Sequence, residues 1–217
     1  MQIVIAGGHG QIALALTEQM VPAHHVVNLI RDPDQSDDIT AIGGTPAVID
    51  LESADTTELA THLEGADAVV FAAGAGPGSG AERKETVDYG AAVLLRDAAL
   101  AAGVPAYVMV SAMGTDDPPS GDDVFSVYLQ AKARADEAVM ASDLAWTIVR
   151  PGGLTDDERT DTVRAARHVE RGTIARADVA AVLAAVLTRD DLAGRVFELV
   201  GGDVPIHAAL DAIADAS

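Results

Sequence analysis

The 217-residue sequence contains no cysteine and only two lysines, and aromatic residues make up just 3% of it. Without cysteine the chain has no disulfide framework and no thiolate chemistry. It has no apolar run close to the roughly 20 residues that a membrane-spanning helix needs. Its start lacks the basic region of a signal peptide, and Gly7-Gly8 interrupts the first apolar run. These absences predict a soluble, cytoplasmic protein.

Basic residues of any kind are scarce, and the formal net charge is −20. So acidic a surface repels phosphate backbones and anionic lipids, so we expect neither a nucleic-acid nor a membrane partner. Hydrophobic residues make up 49% of the chain, which excludes a disordered protein. An acidic protein that binds an anionic ligand must concentrate its few cations at the binding site.

A glycine-rich turn follows the first apolar run, Ile3-Val4-Ile5-Ala6. Gly7 permits the turn, Gly10 allows the backbone to approach a phosphate closely, and Ala13 is small enough for the next helix to lie against the strand. A strand, glycine turn and helix in this order can direct helix N–H groups at a pyrophosphate. The alternative is an ordinary glycine turn that joins a strand to a helix.

Strand-like and helix-like segments alternate along the rest of the chain, with short breaks between them. This pattern predicts an α/β fold, a Rossmann-type doubly wound and mostly parallel sheet of about seven strands with helices on both faces. We expect one domain over residues 1–217, in which 151–217 form a small substrate-side extension packed on the sheet. One long helix is expected over about 82–102, ended by Gly103.

Six motifs at suitable intervals carry a family resemblance: Gly7-x-x-Gly10-x-x-Ala13, Ala72-Ala73-Gly74, Val87-Asp88, Val110-Ser111-Ala112-Met113-Gly114, Tyr128-x-x-x-Lys132 and Val149-Arg150-Pro151-Gly152-Gly153. Over nearly its whole length the chain resembles the short-chain dehydrogenase/reductases, in particular their small, atypical, epimerase-like NAD(P)-binding branch. The resemblance implies a bound dinucleotide. The expected cofactor contacts are Gly7, His9, Gly10, Gln11, Ile12, Arg31, Asp50, Leu51, Ala72, Ala73, Gly74, Lys132, Pro151, Gly152 and Gly153, although His9 could as easily face water.

Tyr128 and Lys132 share a helix face because they are four residues apart. A nearby ammonium favours the phenolate, so we expect Lys132 to lower the pKa of Tyr128 toward the range of a general acid/base. Ser111 follows an apolar strand, where open α/β sheets bind ligands, and its hydroxyl could contact a substrate carbonyl or the Tyr128 oxygen. The resemblance makes Ser111, Tyr128 and Lys132 catalytic, with Asp88 as the fourth member of the catalytic set. It places Asp88 where the family usually has asparagine, and this carboxylate could instead pair with Lys132.

Arg31 and Asp32 end the second strand and bear on the choice of cofactor. The planar guanidinium of Arg31 suits a 2′-phosphate and favours NADP over NAD. In the alternative, Arg31 pairs with a nearby acid and Asp32 binds a ribose 2′-hydroxyl. Arg83 and Lys84 could bind an anionic substrate or the pyrophosphate. In the alternative they are solvated helix residues. The histidines have no metal-ligand spacing, so we expect no metal.

The sequence thus predicts an NADP-dependent oxidoreductase that transfers hydride to or from a small carbonyl or alcohol, as a monomer or homodimer. Two alternatives stay open. One is a sensor or regulatory protein that binds NADP(H) without turnover. The other is an enzyme of the sugar-nucleotide epimerase/dehydratase type, although such enzymes have a larger C-terminal substrate region.

Overall fold

A nine-stranded sheet forms the centre of the computed structural model, which describes residues 1–76 and 78–216. Its strand order is β11-β8-β10-β6-β5-β4-β1-β2-β3. A separate parallel pair consists of β7 (Gly153–Thr155) and β9 (Thr173–Ala175). The sheet strands are β1 (Gln2–Ala6), β2 (His25–Ile30), β3 (Thr45–Val48), β4 (Ala68–Phe71), β5 (Ala106–Val110), β6 (Ala145–Pro151), β8 (Thr162–Ala166), β10 (Arg195–Gly201) and β11 (Val204–Pro205).

Seven of these strands run parallel, from β3 at one edge to β10. Two short antiparallel strands, β8 and β11, extend the sheet beyond β10. The predicted fold class is confirmed, and the expected strand number is corrected from about seven to nine. Strand β8 was not predicted because it is a short antiparallel strand next to the edge strand β11, and it mixes polar and exposed positions with apolar ones instead of forming the continuous apolar run of a central strand. The segment 151–217 therefore adds three strands to the sheet.

Helices cover both faces of the sheet, and each face has its own apolar cluster. One cluster includes buried residues of α1, α7 and α8, and the other includes buried residues of α3, α5 and α6. Alanine is frequent in both clusters, which allows helices to pack closely on the sheet. The helices are α1 (Gln11–Met20), α2 (Ser36–Ala41), α3 (Thr56–His62), α4 (Ala81–Arg83), α5 (Ala92–Ala102), α6 (Val124–Met140), α7 (Arg176–Val186) and α8 (Ile206–Asp215).

The predicted helix over 82–102 forms, but it is not α-helical throughout. Between α4 and α5 the chain makes a π-helical segment over Lys84–Ala91, in which each turn is wider than an α-helical turn. Lys84 and Asp88 are buried on this segment. The helix ends at Gly103, whose φ of 72° is left-handed and therefore suits glycine.

Candidate functional site

Two adjoining cavities lie at the carboxyl ends of the parallel strands, where α/β sheets bind ligands. The first cavity has a volume of about 650 Å³ and extends from the glycine turn to the end of β2. The second has a volume of about 750 Å³ and lies over the ends of β5 and β6. Ala72, Ala73 and Gly74 line both cavities, so together they offer one continuous groove for an extended ligand.

The glycine turn approaches neighbouring backbone so closely that larger residues would not fit. Gly7 has a φ of +77°, and a Cβ there would lie 2.5 Å from the Ala73 Cα. A Cβ on Gly8 would lie 2.6 Å from the Cβ of Asn28. Helix α1 follows the turn, and its N-cap residue, Gly10, has no side chain that could accept a hydrogen bond from the helix N–H groups. The first turn of α1 contains no acidic residue either. The helix N–H groups are therefore available to an anion.

The polar residue that supports this turn, Asn28, was not predicted. Its side-chain amide is buried in β2 and donates to the Gly8 carbonyl (2.9 Å) and to the Thr17 hydroxyl (2.8 Å). Thr17 in turn donates to the Ala13 carbonyl at 2.8 Å. A buried asparagine within an apolar strand was the available sign, because a buried amide needs nearby partners.

At the far end of the first cavity, Glu52 joins two arginines. Arg31 Nη1 lies 3.1 Å and Arg83 Nη2 lies 2.7 Å from Glu52 Oε2, and Thr86 Oγ1 donates to Oε1 at 2.6 Å. The bonds from Arg83 and Thr86 lower the pKa of Glu52. Asp32 accepts a hydrogen bond from the Asp34 backbone N–H at 3.0 Å. The alternative for cofactor choice needs an arginine paired with an acid and a carboxylate at the end of β2. Both are present, in the Arg31–Glu52 pair and in Asp32.

Most of the predicted cofactor contacts lie on this groove. His9 lies on the first cavity, with its Nε2 2.8 Å from Asp38 Oδ2. Gln11 is exposed at the start of α1 and lines neither cavity. The residues on the first cavity are Gly7, His9, Gly10, Arg31, Asp50, Leu51, Ala72, Ala73 and Gly74, and those on the second include Ile12, Lys132, Pro151, Gly152 and Gly153.

Ser111, Tyr128, Lys132 and Asp88 all line the second cavity. Lys132 is buried, and its Nζ donates to the Val110 carbonyl at 3.0 Å and lies 3.8 Å from Asp88 Oδ1. The suggested pairing of Asp88 with Lys132 is thus present. The Ser111 hydroxyl and Asp88 Oδ1 are buried without a hydrogen-bond partner in the described part of the chain. Asp88 Oδ1 still faces the Lys132 ammonium, whereas the Ser111 hydroxyl is available to a ligand.

The pKa of Tyr128 departs from the sequence expectation. Burial and the negative charges of Asp88 and Asp136 raise this pKa well above its ordinary value, whereas we expected Lys132 to lower it. Burial also lowers the pKa of Lys132, opposed by the attraction of both carboxylates. Asp88 lies 3.8 Å from Lys132 and offsets its charge, so the negative charges and burial outweigh the ammonium at Tyr128.

A buried ion network behind the cavity was also not predicted. Arg150, at the end of β6, contacts Asp136 Oδ2 through Nε at 2.9 Å and also pairs with Asp116. The Thr115 hydroxyl donates to the same Asp136 oxygen at 3.1 Å. Asp136 follows Lys132 by four residues on α6, and this spacing was the available sign. The network fixes the loop after Ser111 to the sheet and to α6.

The geometry agrees with the resemblance stated above, and a family comparison establishes the class. Residues 7–190 match the family model described as NAD(P)H-binding, so the chain belongs to that NAD(P)H-binding family. Its structural neighbours are Rossmann proteins similar to NAD-dependent epimerase/dehydratases and short-chain dehydrogenase/reductases. The residues also fit a dinucleotide, because the glycines leave space beside free helix N–H groups and the groove continues to the Ser111 hydroxyl.

Three relatives illustrate this similarity. A Bacillus subtilis protein described as the uncharacterized sugar epimerase YhfK is 35% identical over 212 residues, covering 97% of this chain and 99% of its own. A putative NAD-dependent epimerase/dehydratase from Bacillus halodurans has a TM-score of 0.91 and 32% identity, covering 98% and 99% of the two chains. A short-chain dehydrogenase/reductase from Veillonella parvula in complex with NADP has a TM-score of 0.73 and 16% identity, covering 94% and 96%, and it shows the fold alone.

Within residues 1–76 and 78–216, no group of three or more histidine, aspartate or glutamate side chains is placed to hold a metal ion. No helix among these residues is both long and apolar enough to cross a membrane.

Proposed function

We propose that this protein is an NADP(H)-dependent oxidoreductase that transfers hydride between the cofactor and a small carbonyl or alcohol substrate. The observation that carries the proposal is the grouping of Ser111, Tyr128 and Lys132 around one cavity, which continues into the groove beside the glycine turn. A cofactor in that groove would have its phosphates at the helix N-terminus and its other end close to these three side chains.

The bound cofactor would supply or accept the hydride. Gly7, Gly8 and Gly10 would hold its diphosphate, and Lys132 would hold the ribose next to the nicotinamide. Pro151 and Gly152 at the end of β6 would lie beside the nicotinamide. These roles follow the family resemblance and the positions of the residues along the two cavities.

In the direction of reduction, Tyr128 would donate its proton to the carbonyl oxygen while the carbonyl carbon received the hydride that the bound cofactor supplies. The phenolate left on Tyr128 would then regain a proton from solvent. The Ser111 hydroxyl, which has no partner in the described part of the chain, would donate a hydrogen bond to the same oxygen. The raised pKa keeps the proton on Tyr128 at neutral pH, so the group is in the form that can donate, but it is a weaker acid than the sequence predicted.

The test of this role is Tyr128→Phe, which removes the proton and keeps the ring. NADPH oxidation with a panel of aldehydes, ketones and quinones should fall by about 100-fold or more, while the Kd for NADPH changes little. An unchanged rate would exclude Tyr128 as the acid. If the unmodified protein binds NADPH but reduces none of the panel, the oxidoreductase proposal fails.

The preference for NADP rests on Arg31, whose guanidinium lies on the first cavity. A 2′-phosphate there would take Arg31 away from Glu52, and Arg83 is close enough to contribute a second cation. Arg31→Ala should weaken NADPH binding about tenfold more than NADH binding in calorimetry. Arg164→Ala, which removes an arginine that lines neither cavity, is the matched control. Equal losses for both cofactors would contradict a contact between Arg31 and a 2′-phosphate.

One observation favours a second candidate function. The ion pair between Asp88 and Lys132 replaces the amide contact expected at that position, which would suit a sensor that binds NADP(H) without turnover. Such a protein would bind the dinucleotide tightly and reduce none of the panel. The epimerase names of two relatives suggest a third activity, that of a sugar-nucleotide epimerase or dehydratase. We expect a small-molecule substrate in each case and propose a cytoplasmic location.

A further inference from the structure

The second cavity has a charge opposite to that of the whole protein. The chain has 14 basic residues and a net charge of −20. Four of these basic residues, Lys84, Lys132, Arg171 and Arg176, line the second cavity, and Asp88 is the one acidic residue among its described lining. Since most of the surface is acidic, this cavity is an isolated positive site that attracts anions.

Two of the four cations already have carboxylate partners. Lys132 pairs with Asp88 at 3.8 Å, and Arg176 Nη1 contacts Asp156 Oδ1 at 2.6 Å. These partners offset much of their charge. The other two cations on this cavity are Lys84 and Arg171.

Lys84 and Arg171 make no ion pair with any residue that the structure describes. Lys84 is only 8% exposed, and its Nζ donates to the Gly76 carbonyl at 3.0 Å. Its remaining N–H donors have no carboxylate to satisfy them, and a buried ammonium without a counter-ion is costly. Arg171 borders the loop after Ser111, with Nη2 near Gly114. An anionic ligand group would supply the partner that buried Lys84 lacks, and Arg171, which is exposed, offers a second cation on the same cavity.

Lys84 is also close to the proposed acid. Its Nζ lies 5.3 Å from the centre of the Tyr128 ring. An anion bound by Lys84 therefore belongs to the molecule whose carbonyl reaches Tyr128, rather than to the cofactor phosphates at the glycine turn.

The same cavity carries an unusual apolar rim. Val124, Phe125 and Leu154 line it, and all three are among the large hydrophobic residues that the structure leaves exposed. Phe125 is 58% exposed, and its ring centre lies 6.2 Å from that of Tyr128. Exposed apolar side chains grouped around a cavity indicate a ligand that covers them.

We infer that the substrate is an aromatic or similarly hydrophobic carbonyl compound bearing a carboxylate, which Lys84 and Arg171 bind while the apolar rim covers the ring. This inference rests on the proposed function and specifies its substrate class.

The test compares 4-carboxybenzaldehyde with its neutral methyl ester, methyl 4-formylbenzoate, under NADPH. The unmodified protein should have a kcat/KM at least about tenfold higher for the carboxylate. Lys84→Met and Arg171→Gln should each reduce the ratio of the two kcat/KM values about tenfold. Arg164→Gln, which removes a cation outside the cavities, should keep the ratio. Equal kcat/KM values for both aldehydes, or variants that leave the ratio unchanged, would overturn the inference.

A binding measurement separates this inference from the proposed function. Calorimetry would titrate 4-(hydroxymethyl)benzoate into the NADP⁺-saturated protein and into both variants, with thermal unfolding as the check that each variant folds. Binding that depends on Lys84 and Arg171 without turnover of either aldehyde would support the site and refute the oxidoreductase. Turnover of the ester without any preference for the carboxylate would do the reverse. Neither binding nor turnover would refute both.

Discussion

Asp88→Asn tests how much the buried ion pair with Lys132 stabilises the fold. The two charged atoms are 3.8 Å apart, and both side chains are nearly inaccessible to solvent. At an effective dielectric constant of about 20 their attraction is about 4 kcal/mol. Replacing the carboxylate with an amide also removes the cost of burying a charge. The asparagine can still accept the hydrogen bond from the Ala75 N–H. We expect a net loss of about 3 kcal/mol in the free energy of unfolding, or about 6–12 °C in Tm.

The measurement is urea and thermal unfolding at neutral pH, without cofactor. Asp97→Asn is the matched control, because Asp97 pairs with Arg96 at the shorter distance of 2.6 Å but is 41% exposed. Solvent weakens such a surface pair, so we expect a loss below about 1 kcal/mol. If Asp88→Asn proved as stable as the unmodified protein, or if the control cost more, burial would not be what gives this pair its strength.

Two further predictions concern the proton and the glycine turn. Because the raised pKa of Tyr128 keeps the phenol protonated, the rate of carbonyl reduction should vary little from pH 6 to 9. The rate of alcohol oxidation, which needs the phenolate, should rise about tenfold per pH unit. Initial rates in both directions test this, and an oxidation rate that levels off below pH 8 would contradict it. Gly8→Ala should destabilise the protein by about 1–3 kcal/mol, since the new methyl group would meet the second strand at 2.6 Å. The control is Gly80→Ala, where the space for a methyl group is open; its free energy of unfolding in urea should stay within about 0.5 kcal/mol of that of the unmodified protein. Equal effects at both glycines would show that the close approach at Gly8 does not matter.

The parallel strands and the residues at their ends could be predicted, because continuous apolar runs identify buried strands and their carboxyl ends meet at one edge of the sheet. This reasoning placed Ser111, after β5, and Pro151, at the end of β6, at one cavity. Interactions across long stretches of sequence could not be predicted in the same way. Glu52 meets Arg31 only because β2 and the turn after β3 lie side by side, and the burial that raises the Tyr128 pKa depends on packing. The antiparallel edge strands carry too little apolar pattern to be recognised.

The π-helical segment has a consequence for natural variation in this chain. A π-helical turn accommodates about one residue more than an α-helical turn. Deleting a single residue between 85 and 87 would let the helix close into regular α-geometry while α5 stays packed on the sheet. The residues on both sides of the segment would then keep nearly their present directions, because the wider turn takes up the extra residue. Lys84 and Asp88 would stay at the cavity, so a one-codon deletion here would shorten the chain without disturbing its folded framework.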